Sequence, residues 1–258
     1  MQQFGVIGLS VMGKNLALNV RNHGFSVSGF SIDKPEVDAL AKYEDDKLKP
    51  CYTWEEFVDS LEKPRKILVQ IMAGDPVDQT IQKLIPLLDK GDIIIDGGNS
   101  NFHDTNRRYH ELKKHGLHFI GMGVSGGEEG ALNGPALMPG GDKEAYEEAA
   151  QILTAMAAKT EDGRACVSYI GPEGAGHYVK MVHNGMEYAI MQEISEVYDI
   201  MRKVAHKSNK EMADIFSGLC EKQGFVCRYG GDEYIIVFFT ADKERLKETA
   251  KQIYQKID

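Results

Sequence analysis

Short, almost continuously apolar runs alternate with helix-like segments through roughly the first 170 residues of the chain. Each run is too short for a helix, and the runs lie at residues 4–7, 26–30, 67–71, 92–95 and 118–120. Runs of this kind are typical of strands that are buried on both faces of a parallel sheet. The alternation therefore predicts an α/β fold with a doubly wound, mostly parallel sheet.

After residue 174 the pattern changes to that of a long helix. Apolar side chains recur there every three or four positions from Met181 to Val204. Ser208 and Glu211 then predict a new helix start, because these two side chains can form a capping box.

The tail of the chain predicts a small αββα arrangement. Two β-rich runs, at 225–229 and 234–239, flank a glycine-containing turn at 230–233, which indicates a hairpin. An amphipathic helix is expected to follow the hairpin. We therefore predict three parts, at 1–173, 174–216 and 217–258.

The charge balance argues against several kinds of partner. A net charge of -9 at pH 7, without clustered Lys and Arg, speaks against nucleic acid and anionic membranes. No apolar run approaches the length of a membrane span and no signal-peptide pattern is present, so we expect a cytoplasmic protein.

The cysteines have neither CxxC nor zinc-ligand spacing, and we interpret them as reduced thiols; they are Cys51, Cys166, Cys220 and Cys227.

The segment Gly8-Leu9-Ser10-Val11-Met12-Gly13 lies between the first predicted strand and a helix expected to begin near Lys14. A dinucleotide pyrophosphate needs a tight turn, close backbone approach and the N–H groups of a helix N-terminus. Gly8 and Gly13 fit two glycines of that pattern, and Ser10 replaces the middle one with another small residue. The position at the first strand-to-helix turn favours dinucleotide binding over a turn that serves packing alone.

The segment Ser31-Ile32-Asp33-Lys34 follows the second predicted strand. An acidic residue there binds the ribose hydroxyls of NAD, whereas a basic residue accommodates the 2′-phosphate of NADP. Both signs of charge are present, and a solvated turn is an equally good interpretation. The choice between NAD and NADP therefore stays open.

Lys180, His183, Asn184 and Glu187 recur at steps of three and four along the long predicted helix. Lys180 and Glu187 project from one face about 10 Å apart along the axis, a separation that could bracket a sugar-sized molecule. An isolated pair of this kind is usually a solvated surface pair. The preceding stretch 174–179 contains two glycines that permit close backbone approach, and it favours a functional site.

Three separated stretches, at 91–100, 123–131 and 174–188, carry a resemblance to a known family. Their sequences are GDIIIDGGNS, GVSGGEEGA and GAGHYVKMVHNGMEY. From residue 1 to 216 the chain closely resembles the decarboxylating 6-phosphogluconate dehydrogenases. The resemblance implies a Rossmann domain at 1–173, the start of an all-α substrate and dimerisation domain at 174–216, and oxidative decarboxylation of 6-phosphogluconate to ribulose 5-phosphate in the pentose phosphate pathway.

The same resemblance implies roles for individual side chains. Lys180 matches the family's general base, which takes the hydroxyl proton as hydride leaves for the nicotinamide, and Glu187 matches the acid that protonates the enediol. Positions that match substrate contacts are Asn99, Ser125, Gly126, Gly127, His183, Asn184 and Tyr188. Positions that match cofactor contacts are Gly8, Leu9, Ser10, Val11, Met12, Gly13, Ser31, Ile32, Asp33, Lys34, Ala73 and Asn99. The reaction as the family performs it needs no metal.

Two departures from the family's pattern affect the cofactor. NADP-using members usually carry Asn-Arg-Ser or Asn-Arg-Thr where this chain has Ser31-Ile32-Asp33, so the expected guanidinium is missing. The family's Val-Lys-Ala-Gly is Ile71-Met72-Ala73-Gly74 here, which removes a second cation. Lys34 could compensate for these losses, whereas Asp33 could favour NAD, and we expect NADP or NAD.

Residues 218–258 resemble the closing part of a GGDEF-type diguanylate cyclase domain, around Gly230-Gly231-Asp232-Glu233. In that family the turn approaches nucleotide phosphates and gives a carboxylate to magnesium, and Asp232 and Glu233 match those positions. A tail this short has no place for the first half of a cyclase domain, so we expect no cyclase activity.

Two main functions follow from the sequence. The first is the oxidoreductase, with a sugar phosphate as its small-molecule partner. The alternative is a catalytically impaired, cofactor-binding fusion whose tail is a GGDEF remnant, because full-length relatives continue into a large helical domain that supplies most of their homodimer interface. A signalling module built on the tail is a third hypothesis.

Overall fold

The computed structural model describes residues 1–220, 224–230 and 233–238. The chain divides into two compact units, Met1–Val182 and His183–Asp258, and the division falls within one long helix. In the described part of the chain, no helix combines the length and the apolar composition that crossing a membrane requires.

Seven strands form the sheet of the first unit. They are β1 (Phe4–Ile7), β2 (Val27–Phe30), β3 (Leu48–Cys51), β4 (Lys66–Val69), β5 (Ile93–Asp96), β6 (His118–Ser125) and β7 (Ala136–Gly141). The strand order is β3-β2-β1-β4-β5-β6-β7, and all neighbouring pairs are parallel except β6 and β7. The predicted doubly wound, mostly parallel α/β fold is confirmed.

Helices alternate with these strands along the chain. They are α1 (Val11–Asn22), α2 (Lys34–Ala41), α3 (Trp54–Asp59), α4 (Asp75–Leu84), α5 (Phe102–Lys114), α6 (Gly127–Asn133) and α7 (Lys143–Met156). Side-chain caps help to set two of the helix starts. The Thr53 hydroxyl accepts a hydrogen bond from the Glu56 N–H at 3.1 Å, and the Asn101 side chain accepts one from the His103 N–H at 2.9 Å.

Both faces of the sheet are buried against helices. In β5, Ile93 and Ile95 belong to one apolar cluster, whereas Ile94 belongs to a second. Leu16 of α1 joins the first cluster, and Leu112 of α5 joins the second. Because successive strand residues point to opposite faces, this two-sided burial explains why the strand sequences are apolar at every position.

Two observed strands, β3 and β7, were not among the predicted runs. Each contains a proline, Pro50 or Pro139, and each lies at an edge of the sheet, where a missing ladder N–H is tolerated. Proline in both strands, together with two glycines in β7, interrupts the continuous apolar pattern by which the other strands were predicted. The predicted start of α1 near Lys14 was also wrong, because the helix begins at Val11, inside the glycine turn.

The helices predicted after residue 174 are present as α8 (Ala175–Lys203) and α9 (Asn209–Cys220). Ser208 and Glu211 form the predicted capping box at the start of α9. The Ser208 hydroxyl accepts from the Glu211 N–H at 3.3 Å, and the Glu211 carboxylate accepts from the Ser208 N–H at 2.8 Å.

The predicted hairpin is also present in the tail. Strands β8 (Gly224–Gly230) and β9 (Glu233–Phe238) pair antiparallel. The predicted last helix and Asp232 of the turn lie outside the described residues. Of the cysteines, Cys51 and Cys166 are free thiols, and burial raises the pKa of Cys51.

Candidate active site

The loops that carry most of the predicted site residues leave the same edge of the sheet. Parallel strands β2, β1, β4, β5 and β6 are consecutive neighbours, so their carboxyl ends lie along one edge. The predicted residues that follow or end these strands are Ser31 to Lys34, Gly8 to Gly13, Ala73, Asn99, and Ser125 to Gly127. The strand order reverses between β1 and β4, and a crevice at such a reversal is where open α/β sheets bind ligands.

The turn from β1 into α1 has no room for side chains at its two glycines. Gly8 has a φ of 87°, and a Cβ atom on Gly13 would overlap the Gly8 carbonyl oxygen. Helix α1 starts within this turn, so its first N–H groups, which lack partners inside the helix, are part of the turn. Such a cradle fits a dinucleotide pyrophosphate.

Glu36, which the sequence interpretation missed, ties the end of β2 to this glycine turn. Its Oε2 atom accepts hydrogen bonds from the Leu9 N–H at 3.1 Å and from the Ser31 hydroxyl at 2.7 Å. Lys34 instead makes an exposed ion pair with Asp38, at 2.7 Å. The signal that could have identified Glu36 is an acidic residue about 20 residues beyond the last glycine, as dinucleotide-binding sites carry.

A cavity of about 590 Å³ opens beside the end of β2. Its lining includes Phe30, Ser31, Ile32, Lys34, Tyr52 and Trp54. The volume lies in the range of small-molecule sites, and the lining combines apolar and aromatic surface with a few polar groups. The cavity thus contacts three of the four residues predicted to select the cofactor.

Arg108 of α5 holds the loops that follow β4 and β5. Its guanidinium donates to the two carboxylate oxygens of Asp78 at 3.0 and 2.9 Å, and to the Gly74 carbonyl at 2.9 Å. It also donates to the Ser100 hydroxyl at 3.2 Å, and Ser100 donates to the Asp96 carboxylate at 2.7 Å. One buried cation therefore fixes both loops.

Asp96 organises the loop that carries Asn99. Its carboxylate accepts from the Gly98 N–H at 3.1 Å as well as from Ser100. Asn99 lies between these two anchored residues and is itself exposed. The sequence interpretation identified Asn99 but missed Asp96 and Arg108. An acidic residue at the end of an otherwise apolar strand was the available signal for Asp96, whereas Arg108 lies in a polar helix without a distinguishing pattern.

Asp78 is shared by two arginines with different surroundings. Arg107 donates to its two oxygens at 3.0 and 2.9 Å, but the Arg107 side chain is 56% exposed, whereas Arg108 is 1% exposed. Hydrogen bonds from Arg108, and then from Arg107, hold the pKa of Asp78 well below its usual range. The two arginines thus favour the charged carboxylate form of Asp78.

The start of α8 packs directly on β6 and β7. A Cβ atom on Gly176 would overlap the carbonyl oxygens of Gly121 and Met138. The close backbone approach predicted for the glycines before Lys180 is therefore observed at Gly176, which lies in the first turn of α8. This contact fixes the first turn of α8 on the sheet of the first unit.

Lys180 is buried beside β6. It is 7% exposed, and a Cβ atom on Gly123 would lie 2.5 Å from the Lys180 Cβ atom. Gly123 lies two residues before Ser125, which ends β6 and is followed by Gly126 and Gly127 with positive φ. The structure therefore brings Lys180 to the strand that ends in one predicted substrate contact, Ser125, and is followed directly by two more, Gly126 and Gly127.

His177 lies one turn of α8 before Lys180 and is buried. Its Nδ1 atom lies 2.7 Å from the Thr105 hydroxyl. Burial lowers the pKa of His177, and the nearby Asp96 carboxylate offsets this effect only in part. The fold therefore favours the neutral imidazole.

The remaining predicted residues of α8 belong to the second unit. The His183 Nδ1 atom lies 3.4 Å from the Glu187 carboxylate and 3.2 Å from the Asn184 side-chain oxygen. Glu187 and Tyr188 are exposed. The helix thus brings three of these four residues into contact, while Tyr188 lies on exposed surface.

Residues 3–171 match the family model of the NAD binding domain of 6-phosphogluconate dehydrogenase, and residues 176–227 match that of its C-terminal domain. The decarboxylating 6-phosphogluconate dehydrogenase of Staphylococcus aureus is 53% identical over 250 residues, and that of Staphylococcus epidermidis is 56% identical over 216 residues. These alignments cover 96% and 83% of this chain, but 53% and 46% of the relatives. The chain thus spans about half the length of these relatives.

Solved structures show the same likeness. The 6-phosphogluconate dehydrogenase of Plasmodium falciparum, studied in its apo form and with its cofactor NADP+ and its substrate 6-phosphogluconate, has a TM-score of 0.80 and 40% identity, covering 84% of this chain and 47% of that one. The 3-hydroxyisobutyrate dehydrogenase of Mycobacterium tuberculosis, at 22% identity and a TM-score of 0.68, covers 84% of this chain and 70% of that one and shares the fold. From the family match and the identity to the staphylococcal enzymes, this chain belongs to the 6-phosphogluconate dehydrogenase family.

Proposed function

We propose that this chain provides the nicotinamide cofactor site and part of the substrate site of an oxidoreductase that converts 6-phosphogluconate to ribulose 5-phosphate by oxidative decarboxylation. One observation carries the proposal. The glycine turn, the anchored Asn99 loop and Ser125 lie along one edge of the sheet, and Lys180 is buried against the strand that ends in Ser125. The names of the similar staphylococcal enzymes support the choice of reaction.

The cofactor in this proposal is NAD or NADP. The turn from Gly8 to Gly13 would hold the pyrophosphate, Ser31 to Lys34 would contact the adenosine end, and Ala73 and Asn99 would contact the cofactor farther along the edge. A bound nicotinamide ring supplies a hydride acceptor. The tight Gly8 to Gly13 cradle supports the first of these assignments.

Lys180 and Glu187 would carry the proton transfers. Lys180 takes the proton of the substrate hydroxyl as the carbon is oxidised, and its ammonium then hydrogen-bonds the resulting ketone so that carbon dioxide can leave. Glu187 protonates the enediol that remains. The residues proposed to hold the substrate are Asn99, Ser125, Gly126, Gly127, His183, Asn184 and Tyr188. The contact between the His183 Nδ1 atom and the Glu187 carboxylate, at 3.4 Å, supports a shared role for these two residues.

We also infer the domain organisation from these assignments. The dinucleotide-binding domain occupies 1–173, the start of the helical substrate domain 174–216, and the hairpin tail 217–258. The first family match ends at residue 171 and the second begins at residue 176, and both support the first boundary.

The GGDEF-type resemblance of the tail stays a prediction, and the C-terminal family match reaches residue 227, into that tail. A measurement of solution mass tests the homodimer that family membership suggests.

A second candidate function is cofactor binding without turnover. The exposure of Glu187 and Tyr188 favours it, because proton transfer to an enediol is most efficient where water is excluded. Calorimetric titration with NAD+ and NADP+, combined with an assay of 6-phosphogluconate-dependent reduction of each, separates the two candidates. Binding with turnover supports the oxidoreductase, binding without turnover supports the second candidate, and the absence of binding contradicts both.

A further inference from the structure

We propose that Glu36 selects NAD over NADP, by accepting a hydrogen bond from the 2′-hydroxyl of the adenosine ribose and by repelling a 2′-phosphate. The proposal rests on the proposed function, because it takes the glycine turn as the binding site of a nicotinamide dinucleotide. It adds two statements to that function: the chain binds NAD more tightly than NADP, and the Glu36 side chain determines this preference.

Two hydrogen bonds hold the Glu36 carboxylate between the glycine turn and the end of β2. Both end on Oε2, one from the Leu9 N–H at 3.1 Å and one from the Ser31 hydroxyl at 2.7 Å. No hydrogen bond to Oε1 occurs within the ranges that the structure describes. One oxygen is thus an anchor, and the other can accept from a ligand hydroxyl. Dinucleotide-binding folds place the adenosine ribose at this junction of first turn and second strand.

The one cation in residues 31–38, Lys34, is already paired with an anion. The Lys34 ammonium donates to the two Asp38 carboxylate oxygens at 2.8 and 2.7 Å, and the Tyr52 hydroxyl donates to the same carboxylate at 3.0 Å. Ile32, which also follows β2, is exposed and uncharged. A 2′-phosphate would therefore meet the Glu36 carboxylate without a nearby cation that is free of an ion pair in the described segment 31–38.

Asp33 is the acidic residue that the sequence suggests for this role, but its geometry differs. Its side chain makes no capping hydrogen bond to α2, and it is exposed. Its backbone N–H donates to the Ser31 hydroxyl at 3.2 Å. The acid joined to the glycine turn is therefore Glu36, and the exposed Glu44, which follows α2 and is outside the proposed contacts, offers a matched control with the same charge.

The test is calorimetric titration of the full chain with NAD+ and NADP+, and with the fragments adenosine 5′-phosphate and its 2′-phosphorylated form. We expect NAD+ to bind at least about tenfold more tightly than NADP+, because juxtaposed like charges are strongly unfavourable. Glu36→Gln keeps an oxygen for Leu9 and Ser31 but removes the charge. It should shift the ratio of the two dissociation constants toward NADP+ at least about fivefold, mostly through tighter NADP+ binding.

Glu44→Gln removes the same charge from an exposed residue outside the proposed contacts, and it should change the same ratio less than about twofold, because an exposed charge is screened by solvent. Thermal unfolding of each variant shows that the fold is retained. The proposal is wrong if wild-type protein prefers NADP+, or if Glu36→Gln and Glu44→Gln shift the ratio equally. It is also wrong if Lys34→Ala, rather than Glu36→Gln, changes the ratio. Preference for NADP+ leaves the proposed function intact, whereas failure of both dinucleotides to bind overturns the two together.

Discussion

Arg108 binds the two carboxylate oxygens of Asp78, with N–O distances of 3.0 and 2.9 Å, and so joins α5 to α4. The same guanidinium reaches Gly74 and Ser100, in the loops after β4 and β5. These loops carry Ala73 and Asn99, two of the proposed ligand contacts. An ion pair between a buried arginine and a partly exposed aspartate, outside those contacts, thus holds the loops of the sheet edge.

Replacement of this arginine should destabilise the fold strongly. Arg108 also lies 3.4 Å from the Asp96 carboxylate. Arg108→Met therefore leaves the Asp78 and Asp96 carboxylates without their shared partner, and we expect the free energy of unfolding to fall by about 3–5 kcal/mol. Urea denaturation measures the loss. Arg107→Met is the control, since Arg107 also binds Asp78 but is exposed, and it should cost less than about 1 kcal/mol. Equal losses for the two variants would show that the burial of Arg108 is not what matters.

His177 should make stability depend on pH. Its folded-state pKa lies below the unfolded value of 6.5, so the unfolded chain takes up the proton first as the pH falls. The stability gained from neutral His177 is therefore complete above pH 6.5, declines below it, and is lost once the pH has passed the folded-state pKa. The charged and polar groups that face His177 are Asp96, Arg108 and Thr105.

Unfolding free energies measured across this pH range test the assignment. His177→Gln should flatten the decline just below pH 6.5, whereas His103→Gln, which changes an exposed histidine, should leave it unchanged. An unchanged slope in the His177 variant would mean that another group titrates.

The close approach of α8 to the sheet should not tolerate a methyl group. Gly176→Ala would place its Cβ against the Gly121 and Met138 carbonyl oxygens, which belong to backbone and cannot rotate away. We expect a loss of about 1–3 kcal/mol or more in the free energy of unfolding. Gly185→Ala, on the same helix, meets no atom within 4 Å in the described part of the chain and should stabilise by up to about 1 kcal/mol. A neutral Gly176→Ala would contradict the packing.

The fold was predictable from sequence where burial is uniform. Strand β5 shows this, because its side chains pack alternately into the two apolar clusters, Ile93 and Ile95 into one and Ile94 into the other. Continuous apolar runs of this kind identify central strands from sequence alone. Edge strands were not predictable, because Pro50 and Pro139 interrupt the apolar pattern at positions where only one neighbouring strand needs hydrogen bonds.

The candidate site was predictable where the backbone itself makes the contact. In the Gly8 to Gly13 turn and at the glycines before Lys180, the backbone packs too closely for a Cβ atom. Only glycine fits at such positions, so the requirement is visible in the sequence itself. Glu36 and Arg108 act through side chains that reach across the fold, to Leu9 and to Asp78. For Glu36 the available signal was its spacing from Gly13, which Asp33 shares, and only the tertiary distance to Leu9 separates the two acids. For Arg108 the sequence contains no local pattern that specifies its partners.

The most direct test of the central claim is turnover of 6-phosphogluconate with NAD+ and with NADP+, followed by absorbance of the reduced nicotinamide. The wild-type chain should turn over, Lys180→Met should lose activity by a factor of at least about 100, and calorimetry should show cofactor affinity nearly unchanged. Lys203→Met, at the exposed end of the same helix, should retain activity. Equal activity of Lys180→Met and wild-type protein, or equal loss of cofactor binding and turnover in Lys180→Met, would contradict the proposed role of Lys180.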